Sequence, residues 1–201
     1  MGTRSPEILL ARQAIVDRQR TVVGYELLHR SGDHATAMFI DDALATRNVV
    51  NAAFNRIGIN AVAGEARVLV NVNAEFLMSR SVEQLPAERV MLEILETVEI
   101  DDQIVQRCRA LKQKGYRLAL DDVTRYSKTL EPLLEFVDLV KIDVMQLDAA
   151  ELERLVKQLK PWHARLLAEK VETIERAKEC LRLGMDWFQG FFFSRPAVLA
   201  A

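Results

Sequence analysis

The sequence predicts an α/β fold, a TIM-like (β/α)8 barrel that begins with a β-hairpin. Three observations predict it. Short apolar strands alternate with amphipathic helices along most of the chain, and each apolar run closes on a polar residue. The 201 residues suit one barrel with short loops, at the lower end of the roughly 200 to 400 that such barrels use. A single domain over 1–201 is expected, with an open parallel sheet as the alternative architecture.

Glu7 to Val16 and Thr21 to Leu28 are strand-like, and the polar stretch Asp17-Arg18-Gln19-Arg20 between them reads as a hairpin turn. From Asp41 to Ile59, Ala45, Val49, Ala52, Ala53 and Ile57 recur at helical spacing, Arg56 breaks the stripe, and Gly58 and Gly64 punctuate the end. One long helix is expected there. Further strands fall at 67–72, 90–95, 116–121, 137–142, 164–169 and 185–188. The clearest helix–strand unit has Asp101 as N-cap, a buried stripe of Ile104, Val105, Cys108 and Leu111, Gly115 at the C-terminal stop, and the strand from Tyr116. Thr173, Ile174, Ala177, Cys180, Leu181 and Gly184 repeat that grammar before the last strand.

Composition excludes several classes of function. With 27 Lys and Arg against 29 Asp and Glu, the formal charge of −2 gives no general field toward a DNA or RNA polymer or an anionic lipid surface. No apolar run reaches the roughly 18 to 20 residues that span a bilayer, and Met1 to Glu7 lacks a signal-peptide pattern, so a cytoplasmic protein without membrane contact is expected. Cys108 and Cys180 read as small buried hydrophobes, and the three histidines form no metal or triad spacing.

In a barrel the reactive face is the C-terminal end of the strands. The apolar runs end there on Glu26, Asn71, Glu93, Asp121-Asp122, Lys141, Glu169 and Gln189. Carboxylates closing apolar strands cost several kcal/mol each unless compensated, and an oxygen-only donor set suits Mg2+ or Mn2+ rather than zinc or copper. Adjacent Asp121 and Asp122 suit two cations with a water between them, and Lys141 would stabilise the hydroxide or the developing phosphorane charge. Against this stand ordinary solvated strand ends and an N-capping role for Asp121-Asp122 on a helix starting near Ser127. Asp143 and Glu172 read as helix-start residues, and Phe191-Phe192-Phe193 as core or barrel floor, with base stacking as the alternative for an exposed ring.

The ordered motifs resemble those of the EAL domain, the bacterial module that hydrolyses or senses cyclic di-GMP. Gln13-Ala14-Ile15 is similar to the family's Gln-Pro-Ile, and Gly24-Tyr25-Glu26-Leu27-Leu28-His29-Arg30 to Gly-Tyr-Glu-Ala-Leu-x-Arg. Asn71 matches Asn-Leu-Ser, Glu93 and Glu96 match Glu-x-Thr-Glu, and Asp121-Asp122 match the start of Asp-Asp-Phe-Gly-Thr-Gly. Lys141-Ile142-Asp143 matches Lys-Ile-Asp, Glu169-Lys170-Val171-Glu172-Thr173 resembles Glu-Gly-Val-Glu-Thr, and Gln189-Gly190-Phe191 resembles Gln-Gly-Tyr.

The resemblance implies a compact EAL barrel in which Glu26, Asn71, Glu93 and Asp121 hold a first Mg2+ or Mn2+ and Asp122 reaches a second. Lys141 and Glu169 engage the attacking water, Glu169 as general base, and Gln189 supports them. Arg30 and Gln13 belong to the ligand site, and cyclic di-GMP would open to pGpG. Leu27 should point away from the ligand, as strand alternation demands.

Two departures bear on function. After Asp122 the chain reads Val123-Thr124-Arg125-Tyr126-Ser127, one residue shorter than the family and without its glycines, and 31–42 lacks the family's helix. Glu96, which anchors that loop in the family, loses its role. A catalytically silent or weak cyclic di-GMP-binding regulatory module is therefore favoured over an active phosphodiesterase. Ala168-Glu169-Lys170-Val171-Glu172 and Phe192-Phe193-Ser194-Arg195-Pro196 look most like the EAL half of EAL/HDOD two-module proteins, so a C-terminal HDOD-type domain or another protein partner is expected and the chain reads as a truncated module.

Overall fold

The computed structural model describes residues 8–31 and 42–199. Its sheet closes on itself: β1 (Ile8–Asp17), β2 (Val22–Ser31), β3 (Arg67–Val72), β4 (Val90–Ile94), β5 (Arg117–Leu120), β6 (Leu139–Asp143), β7 (Arg165–Glu169) and β8 (Trp187–Phe188) run in spatial order, and β8 returns to β1. From β2 to β8 all neighbours are parallel, whereas β1 is antiparallel to both β2 and β8, as the hairpin requires. A further strand, β9 (Ala197–Leu199), pairs with Leu10–Arg12 of β1. It was not foreseen from sequence. It covers the stretch of β1 that the two-residue β8 leaves open.

Helices fill the crossovers: α1 (Asp42–Val50), α2 (Ile59–Ala63), α3 (Ala74–Met78), α4 (Asp102–Gln113), α5 (Glu131–Leu134), α6 (Ala149–Leu159) and α7 (Ile174–Arg182). The caps expected at Asp101 and Thr173 are present, accepting from Ile104 N at 2.8 Å and Arg176 N at 3.2 Å. The single long helix expected over 41–59 is instead α1 followed by a π-helical stretch, Asn51–Arg56, in which Ile57 N reaches back to Ala52 O. The wider turn keeps Ala52 and Ala53 buried while accommodating Arg56, the residue that breaks the apolar stripe. No helix starts near Ser127 with Asp121 or Asp122 as its cap; the next helix is α5, at Glu131.

Side-chain alternation builds the barrel interior in two levels. Ile15, Leu69, Met91, Ala119, Leu139 and Leu167, with Trp187 against them, form an apolar plug. Two positions further toward the mouth on the same strands stand Gln13, Asn71, Glu93, Asp121, Lys141, Glu169 and Gln189, with Glu26 two positions beyond Gly24. Leu27 points the other way, into the main core between barrel and helices. Cys108 and Cys180 are buried free thiols in that outer core.

Gly190 marks where the chain leaves β8. Its φ is +149°, and a Cβ would stand 2.2 Å from Val171 O and 2.3 Å from Val171 N, backbone atoms that cannot swing aside. Gly190→Ala is therefore expected to cost about 3 kcal/mol, at the top of the range for overpacking. Thermal melting followed by circular dichroism checks this, and an unchanged Tm would contradict the close approach.

Candidate active site

Seven strands of parallel geometry and one antiparallel strand each deliver a polar side chain to the same level of the barrel, so the mouth becomes a cup floored by charge. Lys141, 1% exposed, stands at its centre. Its ammonium bonds to Glu93 Oε1, lies 2.8 Å from Asp121 Oδ1, 3.0 Å from Glu169 Oε2 and 3.6 Å from Glu26 Oε2. Amides fix the remaining orientation. Gln189 Nε2 donates to Glu26 Oε2 at 2.5 Å and to Gln13 Oε1 at 3.1 Å, Asn71 Nδ2 donates to Glu26 Oε1 at 3.3 Å, and Gln13 Nε2 donates to Ser194 O at 2.9 Å.

One ammonium faces four carboxylates, so the cup carries excess negative charge in a low-dielectric setting. Burial works against the Lys141 ammonium, but the carboxylates of Glu26, Glu93, Glu169 and Asp121 outweigh it and hold its pKa well above the ordinary value. Burial pushes Glu93 well above the carboxylate range, only partly offset by Lys141. Burial likewise raises Glu169 to about 8. Asp121 lies below its ordinary value: burial opposes this, and Lys141 prevails. The cup thus holds two kinds of carboxyl, Glu93 and Glu169 shifted toward the protonated form and Asp121 kept ionised.

The raised Glu169 has a measurable consequence for stability without metal. Its folded value of about 8 exceeds the ordinary 4.5, so the folded chain retains a proton that the unfolded chain releases. The stability this contributes is complete below about pH 4.5 and is lost as pH rises through 8. Melting temperatures in chelator should therefore fall between pH 5 and 9, and Glu169→Gln should flatten the fall. An equal slope in the variant would contradict the assignment.

Among the described residues, buried oxygen atoms remain without a partner. Asn71 Oδ1, Glu93 Oε2 and Glu169 Oε1 are buried without a hydrogen-bond partner. Unpartnered buried acceptors beside Glu26 and Asp121 fit a hard cation, which takes carboxylate and amide oxygens. Glu96, Asp121 and Asp122 also bring carboxylate oxygens within 4.8 Å of one another, with Glu96 exposed.

The ring thus unites Gln13, Glu26, Asn71, Glu93, Asp121, Lys141, Glu169 and Gln189. Asp122 stands at its rim, where its carboxylate pairs with Lys170 Nζ at 2.6 Å rather than entering the ring. The side chain of Arg30 lies outside the described residues, as does the segment 32–41. Asp143, a helix-start residue by sequence, has a different place. It is buried at the end of β6, accepts from Met145 N at 2.9 Å and Gln146 Nε2 at 2.7 Å, and pairs with Lys170 Nζ at 2.6 Å. Phe191 is not core or floor: it is half-exposed on the cup wall, with the Arg195 guanidinium 4.9 Å above its ring. Lys170 appears in the sequence only as part of the Glu169–Thr173 motif, with no role of its own. The signal available for it was its place directly after the strand-ending Glu169.

The cup is a cavity of about 370 Å³ lined by Gln13, Glu26, Asp121, Lys141, Glu169 and Phe191 among others. A second cavity of about 580 Å³ adjoins it under Val123–Ser127, with Glu96 and Asp122 in its wall.

Known proteins resemble this chain in sequence and fold. The EAL domain profile matches residues 3–196. The cyclic di-GMP phosphodiesterase CdgJ of Vibrio cholerae is 35% identical over 94% of this chain and 44% of its own length. The uncharacterized protein YuxH of Bacillus subtilis is 32% identical over 96% of this chain and 48% of its own length. This chain therefore spans about half the length of these curated relatives. Among solved structures, Bacillus subtilis YkuI, in complex with cyclic di-GMP and calcium, superposes with a TM-score of 0.77 at 22% identity, over 95% of this chain and 56% of that one. Klebsiella pneumoniae BlrP1, in a manganese and cyclic di-GMP complex, gives 0.75 at 26% identity, over 98% and 58%. A profile match along nearly the whole chain, relatives above 30% identity and a shared closed barrel together establish that this protein belongs to the EAL domain family.

Proposed function

We propose that the chain is a cyclic di-GMP-binding regulatory module whose hydrolytic turnover is weak or absent. The observation that carries the binding reading is the set of buried, unpartnered oxygens of Asn71 and Glu93 beside Glu26 and Asp121, which supplies one Mg2+ or Mn2+ with ligands on the floor of an open cup. Such a cation would neutralise the cup and receive a phosphate of the ligand. Arg30 and Gln13 would flank it, and half-exposed Phe191 offers a face on which a guanine can stack.

Weak turnover is supported by the exit from β5. Asp122 adopts φ +45° without being glycine, and Val123–Ser127 contains no glycine to restore freedom to the loop. Efficient in-line attack needs a water held within tenths of an ångström, and errors near 1 Å cost about 100-fold. The second reading, an active phosphodiesterase yielding pGpG with Glu169 and Lys141 engaging the water, is favoured by the intact ring and by the 35% identical relative that bears that name. The chain acts in the cytoplasm alongside an HDOD-type domain or a protein partner that reads the occupied cup. Among the described residues no helix is long and apolar enough to cross a membrane.

Chromatography of cyclic di-GMP incubated with stoichiometric protein and Mn2+ decides between the readings. Intact ligand after many minutes is expected, and conversion to pGpG within seconds would overturn the regulatory reading.

A further inference from the structure

Adjacent carboxylates at the end of β5 offer seats for two cations: Asp121 pairs with Lys141 in the ring, and Asp122 lines the same cup beside it. Asp122 is turned to the rim, where Lys170 Nζ lies 2.6 Å from Asp122 Oδ1 and 2.6 Å from Asp143 Oδ2. Asp143 is 1% exposed, so this ammonium satisfies a carboxylate that would otherwise be buried unpaired. Glu169, also buried and with Oε1 unpartnered, precedes Lys170 on the same strand end. The backbone bends to permit the contact. Lys170 has φ +57° and Asp122 φ +45°, left-handed conformations that side chains other than glycine rarely adopt, and they occur at the two strand ends that the Lys170–Asp122 pair joins.

We infer that the Lys170 ammonium is a built-in substitute for the second divalent cation, occupying the Asp122–Asp143 seat and leaving the cup with a single metal position. The inference rests on the proposed cation-dependent binding only for the identity of the first seat. A primary ammonium and a divalent ion compete for the same oxygens. The ammonium is tethered and always present, whereas the ion must displace it and strand its charge beside Asp143. Lys170 is thus a positioning residue: it fixes Asp122 and sets the number of cations.

Counting Mn2+ bound per chain, by equilibrium dialysis or by the electron paramagnetic resonance signal of the free ion, tests this with the metal alone. One ion is expected for the unaltered chain and one for Lys170→Arg. Lys170→Gly suits the left-handed backbone and should fold, and it should bind two. Adding Asp122→Asn to Lys170→Gly should return the count to one. Two ions on the unaltered chain, or no gain in Lys170→Gly, would overturn the inference. No ion on the unaltered chain with a gain of one in Lys170→Gly would sustain it while removing the cation-dependent reading of cyclic di-GMP binding.

Discussion

Lys141→Met is expected to destabilise the metal-free protein by about 3 to 5 kcal/mol, the usual consequence of removing one partner from a buried ion cluster. Methionine matches the length of the lysine stem, so the change isolates the charge. It would leave Glu26, Glu93, Asp121 and Glu169 facing one another with no cation between them. At roughly 2 to 4 °C per kcal/mol for a domain of this size, the melting temperature should fall by about 10 °C. Two further observations separate charge from packing. Lowering the pH should recover part of the loss as the carboxyls protonate, and millimolar Mn2+ should recover part by supplying positive charge to the same oxygens. A fall under 2 °C, or no recovery by either route, would show that Lys141 is not the counter-charge of the cup.

The second large effect concerns Asp121. Asp121→Ala removes a carboxylate that the ring holds ionised, and cation-dependent affinity for cyclic di-GMP should drop by at least about 100-fold, since even outer partners of a metal site are worth about 10- to 100-fold. Because Lys141 holds Asp121 below its ordinary value, the ionised carboxylate stabilises the folded chain at neutral pH, so the metal-free variant should melt below the unaltered protein. Asp122→Ala should weaken binding by under about 10-fold, because its carboxylate is engaged by Lys170 at the rim. Calorimetry on both variants checks the contrast. Equal losses at the two positions would mean that Asp122 shares the ligand seat.

The ring was legible in the sequence because a barrel strand has a period of two and a fixed reactive end. An apolar run that stops on Glu, Asn, Asp, Lys or Gln must place that residue at the mouth, as Leu69 does for Asn71 and Leu139 for Lys141. The hairpin and the helix caps were legible for similarly local reasons. What sequence reading missed depends on contacts between distant loops. Asp143 and Lys170 lie 27 residues apart and meet only because β6 and β7 are neighbours and the backbone at Lys170 turns left-handed. Phe191 reads as core by composition. It stands on the cup wall because Gly190 packs against Val171 and directs the following residue outward. The π-helical stretch after α1 reflects the insertion of one residue into a helical ladder, which apolar periodicity does not resolve from a regular helix.

Titration of cyclic di-GMP into the unaltered chain in Ca2+, repeated in chelator, tests the central claim most directly. The account predicts saturable one-to-one binding in Ca2+ that weakens by at least about 100-fold when the cation is removed, because the carboxylates then repel the ligand phosphates. Equal affinity in both conditions, or no binding in either, would contradict a cup built around a cation.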